Sequence, residues 1–337
     1  IQIFSFLLVF GCAQVTSLNL QKHQFGKFPT KIVWLQVAGF SEEHLALLKY
    51  SYPNAEIKTA FEKSLCVGKT WEYDLYKLRP DASSGFMAQI TGKKNIKNSC
   101  SDFDHRPVWS YVLAKGYKAG VFEGEARPED SLLKARACAK EDFLNGLLFW
   151  KMDETPPSDA KYFHVEENAN FNPGEIYYDR SCLSGDCFST FSNNVEKTYE
   201  VFSRNAKNYM FMVRNFEYAR HLRNGAVSKA KDELNQLNKV VSYFQNIANK
   251  RSDFLLLITS AATRSAQFPQ EGKQWREYEK KGKNFVAKRN NLMGTVLVNG
   301  ARAENFCGVY DQSEIMSRIF SGAKQQGLEL TIINPFD

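Results

Sequence analysis

Lys31-Ile-Val-Trp-Leu-Gln-Val-Ala-Gly39 decides the architecture of this chain. The run is mostly apolar and closed by glycine, and it reads as a strand buried on both faces. The residues after it agree with that reading. Ser41 is placed to cap a helix that carries Glu42 and Glu43 in its first turn and continues through Leu45, Leu47 and Leu48. A doubly buried strand feeding a helix points to a mainly parallel sheet with helices on both faces.

The rest of the chain repeats this rhythm. A helix is expected from Ser83 or Ser84 to Gly92, and another over 107–115, followed by a strand over 116–122. Pro128 suits the first turn of a helix that runs on through Leu132, Leu133, Ala135, Cys138 and Ala139. Strands are expected at 208–213, 253–259 and 295–298. A long amphipathic helix is expected over 225–249, with Val227, Ala230, Leu234, Leu237, Val241, Phe244 and Ile247 on one face. A helix over 313–326 and a strand over 328–333 close the chain. Residues 151–195 break the pattern with Pro156-Pro157 and turn-rich stretches, and read as an insertion or lid-like excursion. The expected fold class is α/β, three layers, with one domain over 31–337. Ligands of such folds sit beyond the carboxyl ends of the strands.

The 337 residues, 43% of them hydrophobic, are ample for a globular core. Residues 1–10 are almost wholly apolar, too few to span a bilayer but suited to the core of a signal peptide. Val9-Phe10-Gly11-Cys12 resembles a bacterial lipobox, with Cys12 as the lipidated residue and 13–30 as a tether. That reading makes 1–12 a truncated lipoprotein signal and places the protein, lipid-anchored, in a bacterial cell envelope. Six further cysteines fit disulfides in an exported chain, and Cys182 and Cys187, close together in a Ser/Gly/Asp loop, are the expected local pair.

The net charge of +7 is modest. Seven Lys/Arg between Lys273 and Arg289 face only Glu277 and Glu279, with Trp275, Tyr278 and Phe285 interleaved. Such a run is ordinarily a solvated face. Nothing else points to nucleic acid.

The strand ends carry a resemblance. Val37-Ala38-Gly39-Phe40-Ser41 is similar to the opening motif of the alkaline phosphatase superfamily, and 81–94, with its Thr91-Gly92, resembles the helix that carries the family's nucleophile. The resemblance implies an Asp ligand at Ala38 and the nucleophile at Ala82. It implies ligands in the loop Glu123 to Asp130, then Glu, Asp and His at Arg214, Ala219 and Arg223. It implies Asp-His at Ala261-Ala262, and a last His near Asn305. Most of these positions have lost the family's donor.

Alanine offers no lone pair to zinc, and a serine nucleophile of this type depends on metal. The expectation is therefore a non-catalytic protein without zinc or magnesium. Arg214, Arg223 and Arg264, with Ser83 reading as the N-cap of its helix, would leave a cleft suited to an anion. The partner is either a small anionic, phosphate-type molecule or a surface protein docking on 151–195. Two alternatives stand beside it: a phosphoric ester hydrolase rearranged around Ser83 or Ser84 and the 123–130 loop, and a structural envelope lipoprotein. His221 reads as a surface residue.

Overall fold

The computed structural model describes residues 28–51, 58–153, 156–164, 170–184, 187–281, 290–326 and 329–333. The apolar leader, Cys12 and most of the 13–30 tether lie outside the described residues, as does the second half of the basic run. Among the described residues no helix is long and apolar enough to cross a membrane.

The strands are β1 (Lys31–Ala38), β2 (Cys66–Trp71), β3 (Lys118–Gly124), β4 (Leu147–Met152), β5 (Lys161–Phe163), β6 (Ile176–Asp179), β7 (Tyr209–Asn215), β8 (Phe254–Ala261), β9 (Met293–Gly300), β10 (Gly308–Asp311), β11 (Gly322–Gln326) and β12 (Glu329–Ile333). The helices are α1 (Leu45–Ser51), α2 (Ala82–Thr91), α3 (Val108–Ala114), α4 (Lys134–Ala137), α5 (Phe191–Ser203), α6 (Glu217–Arg223), α7 (Val227–Ala248), α8 (Trp275–Lys281) and α9 (Ile315–Phe320).

Ten strands form one sheet in the order β10-β2-β9-β8-β1-β7-β3-β4-β6-β5, and β11 pairs with β12 as a separate hairpin. Only β9 runs against its neighbours in the large sheet. β1 lies between β7 and β8, parallel to both. Its side chains alternate between two cores. Val33, Leu35 and Val37 pack with Leu234, Leu237, Val241 and Phe244 of α7, whereas Ile32 and Trp34 pack with Met87 and Ile90 of α2 and Val112 of α3. This is the expected three-layer α/β architecture, and it explains why the central strand is apolar on both sides.

Four expectations change. Residues 151–195 are not a lid: they supply the end of β4, then β5 and β6, which extend the sheet to one edge, and the start of α5. The helix expected after Pro128 is mostly turns, with only the short α4 in it. The closing helix stops at Phe320 and gives way to β11. Ser83 is not the cap of α2. Asp81 is, its carboxylate accepting from the Ser84 backbone N–H at 2.8 Å, so the helix starts at Ala82, two residues earlier than a Ser83 cap implies.

The structure pairs all six cysteines beyond Cys12: Cys66–Cys307, Cys100–Cys138 and Cys182–Cys187. In the basic run, Trp275 is buried, stacks on Phe268 and meets the Tyr278 ring at a tilt, so its aromatic side faces inward.

Candidate functional site

The carboxyl end of the sheet carries a row of polar side chains in register. Thr259, Gln36, Arg214, Glu123, Lys151 and Tyr178 are successive partners on β8, β1, β7, β3, β4 and β6, and all are buried. They share one face, the face that α2 covers. Gln89 of α2 joins the row by accepting from Thr259 Oγ1 at 2.7 Å and from Gln36 Nε2 at 3.2 Å. Arg214 donates from Nε to Gln36 at 3.1 Å and from Nη1 to Glu123. Glu123 also accepts from the Leu132 N–H at 2.9 Å and from Ser131 Oγ. Burial works against the Arg214 charge and Glu123 supports it. From Thr259 to Glu123 each buried polar side chain of the row therefore has a partner, which is the condition for tolerating it.

Above the row sits an apolar plug. Ala38, Ala219 and Ala261 pack with Phe86, Phe216 and Ala126, and Ala82 lies against them. The plug is tight. A Cβ added at Gly85 would lie 2.8 Å from the Ala261 Cβ, and one at Gly39 would lie 3.1 Å from that of Ala219. Gly39 also has φ +75°, which its turn out of β1 requires. The guanidinium of Arg214 lies 5.0 Å from the Phe216 ring centroid and 5.7 Å from that of Phe86, so the plug roofs the ion pair.

Of the positions that the resemblance assigns to metal ligands and nucleophile, Ala38, Ala82, Ala219 and Ala261 do converge, as alanines, whereas Asn305 lies near the amino end of β8, its side chain donating to the Arg318 and Ser321 carbonyls. A zinc ion needs several O, N or S donors at short range. The donor set here is methyl groups and one guanidinium, and the residues do not fit the metal. Among the described residues no group of three or more His, Cys, Asp or Glu is placed to hold an ion.

The predicted anion-binding residues separate. Arg214 is sealed beneath the plug and neutralised by Glu123, so it is not available to a ligand. Arg223 is exposed and Arg264 partly buried; burial is the larger cause that disfavours both charges, and the Arg223 charge further disfavours that of Arg264. Arg127 and Arg220 add to the same field at Arg223. Ser83 Oγ donates to the Glu129 carbonyl at 3.5 Å, which fastens the start of α2 to the 125–130 loop. His221, expected at the surface, instead lies 2.5 Å from Glu217 Oε1. Burial opposes ionisation of Glu217, but the hydrogen bonds it accepts from His221 and Arg220 help outweigh it and hold the carboxyl well below its usual range. The sequence signal for this pair was the i, i+4 spacing on a helix.

Glu72, just past β2, was missed altogether. It is buried, and accepts from Thr263 Oγ1 at 2.6 Å and from the Thr263 N–H at 3.1 Å. Burial outweighs those hydrogen bonds and pushes the carboxyl up to about 7. Its folded form therefore holds a proton that the unfolded chain, titrating near 4.5, has released. The stability that Glu72 contributes is full below the unfolded value and is lost as pH rises through the folded one. Relative to a Glu72→Gln variant, the wild type is expected to lose ~3 kcal/mol between about pH 5 and pH 8, at 1.36 kcal/mol per pH unit. Urea melts at the two pH values read this directly, and a pH-independent difference between the proteins would refute it.

No protein-family model matches the chain, and no curated protein matches it. Solved structures do. The alkaline phosphatase of a psychrophilic Shewanella sp. aligns with TM-score 0.67 at 12% identity, over 86% of this chain and 98% of that one. The Thermus thermophilus alkaline phosphatase aligns with TM-score 0.64 at 13% identity, over 94% and 95%. The enzyme of the Antarctic bacterium TAB5 aligns with TM-score 0.61 at 13% identity, over 87% and 98%. The fold is that of the alkaline phosphatases, and it extends over nearly the full length of those enzymes.

Proposed function

We propose that this protein is an exported, non-hydrolytic binding protein on an alkaline phosphatase frame, and that it holds a phosphate-type anion at the arginine-lined mouth of the old centre. The plug of Ala38, Ala82, Ala219 and Ala261 over a closed Arg214–Glu123 pair carries the reading. It removes the means of activating a nucleophile, while Arg223 and Arg264 keep two guanidinium groups within electrostatic reach of one another. Three disulfides support an oxidising compartment. Lipidation at Cys12 would supply the anchor, and intact-mass analysis of the cell-derived protein tests that part.

The purified protein, incubated with zinc and magnesium, is expected to cleave neither an aryl phosphate monoester nor a diester above the buffer rate. Chelator-sensitive turnover with stoichiometric bound zinc would overturn the reading. Inorganic phosphate is expected to bind, and Arg223→Ala or Arg264→Ala to weaken it about tenfold each, the scale of one charge-assisted hydrogen bond. Equal binding by wild type and both variants would remove the anion from the proposal.

A further inference from the structure

The polar row does not end where the plug ends. Over β8, β1 and β7 the row is roofed by alanine and phenylalanine, but at β4 and β6 it opens into a cleft of about 420 Å³ beyond the strand ends. That volume is within the range of small-molecule sites, and the location is where open α/β sheets bind ligands. Lys151 and Tyr178, the last two members of the row, form its floor and are each 6% exposed. Lys151 is held by Asp153 at 2.5 Å, and the Tyr178 hydroxyl makes no hydrogen bond among the described residues. Arg127 and Arg220 stand on the wall, with the rings of Pro128 and Pro157 between the charged groups.

The lining selects a chemistry. A purely anionic ligand would meet Asp153 and Glu125, and a purely cationic one would meet Lys151, Arg127 and Arg220. Hydroxyl groups suit both, because a hydroxyl donates to a carboxylate and accepts from an ammonium or guanidinium. The proline rings offer apolar faces to the C–H face of a polyol or sugar ring. Arg127 and Arg220 of the cleft wall are also within electrostatic reach of Arg223, and Arg223 of Arg264. The loop that supplies Arg127 and Pro128 is the one that Ser83 fastens to the start of α2, and Arg127 is braced within it by Asp130 at 2.8 Å.

We propose that this cleft takes the hydroxyl-bearing part of a phosphorylated sugar or polyol whose phosphate rests on the adjoining arginines. This rests on the anion reading and adds the ligand class to it. Isothermal titration of the full chain with inorganic phosphate, glucose 1-phosphate, glucose 6-phosphate, glycerol 1-phosphate and glucose tests it. At least one phosphate ester is expected to bind about tenfold or more tighter than inorganic phosphate, the scale of one or two added hydrogen bonds. Tyr178→Phe and Asp153→Asn should each erase that preference and leave the affinity for inorganic phosphate unchanged, while Arg223→Ala should weaken both. Equal affinity for phosphate and all three esters would overturn the cleft assignment and leave the anion reading standing, as would a preference insensitive to both cleft variants. Failure of phosphate and of every ester to bind would overturn both.

Discussion

An Arg214→Met variant is expected to unfold with roughly 3–5 kcal/mol less stability than the wild type, the cost of stripping one partner from a fully buried ion pair. The two side chains are 2% and 0% exposed, so no water is available to take the place of the lost guanidinium. Glu123 would keep Ser131 and the Leu132 N–H but lose its counter-charge. Gln36 would lose its Arg214 donor as well. A double variant, Arg214→Met with Glu123→Leu, should recover most of the loss, because replacing both members of a buried pair by apolar groups of similar volume is often neutral. The measurement is a double-mutant cycle by urea denaturation. A single-variant loss under about 1 kcal/mol would mean that the pair is hydrated in solution and not sealed by the plug.

The second large effect is expected from Cys66→Ala with Cys307→Ala. This bridge joins residues 241 apart in sequence, tying β2 to the turn before β10. Closing so long a loop restricts the unfolded chain strongly, and its removal should cost about 4–5 kcal/mol. Removal of Cys182–Cys187, which closes a separation of only 5, should cost about 2 kcal/mol by the same logic. Denaturant midpoints of the two double variants give the comparison, and equal losses would show that the loop-length account fails for this protein.

The parts of the fold legible in the sequence were those whose environment is uniform. β1, β7 and β8 sit mid-sheet with helices on both faces, so their apolar runs are long and unbroken. α7 shows its buried stripe because one whole side of it packs on the sheet. The edge strands behave differently. Lys161-Tyr162-Phe163 of β5 runs from exposed to buried in three residues, and β6 has only four. Segments so short and so unevenly buried carry no period to detect, so they looked like a loop. The Ser83 error has a similar origin. Asp81 and Ser83 are both good caps, and which carboxylate or hydroxyl reaches a free N–H depends on a backbone turn that propensity does not specify.

For the site, what the sequence alone determined was which strand-end side chains carry donors and which do not. The side chains of Ala38, Ala82, Ala219 and Ala261 carry no donor atom in any fold, so it was legible in the sequence that these four positions supply no side-chain metal ligand. What meets the strand-end side chains was decided by tertiary structure. Arg214 read as a free cation facing a ligand, because its partner Glu123 is 91 residues away and only the pairing of β7 with β3 brings them into register. The same register places Lys151 and Tyr178 at the open end of the row, where the plug stops and the cleft begins. A side chain's donor atoms are a property of the residue itself, whereas burial and counter-charge belong to the neighbours that the sheet assembles around it.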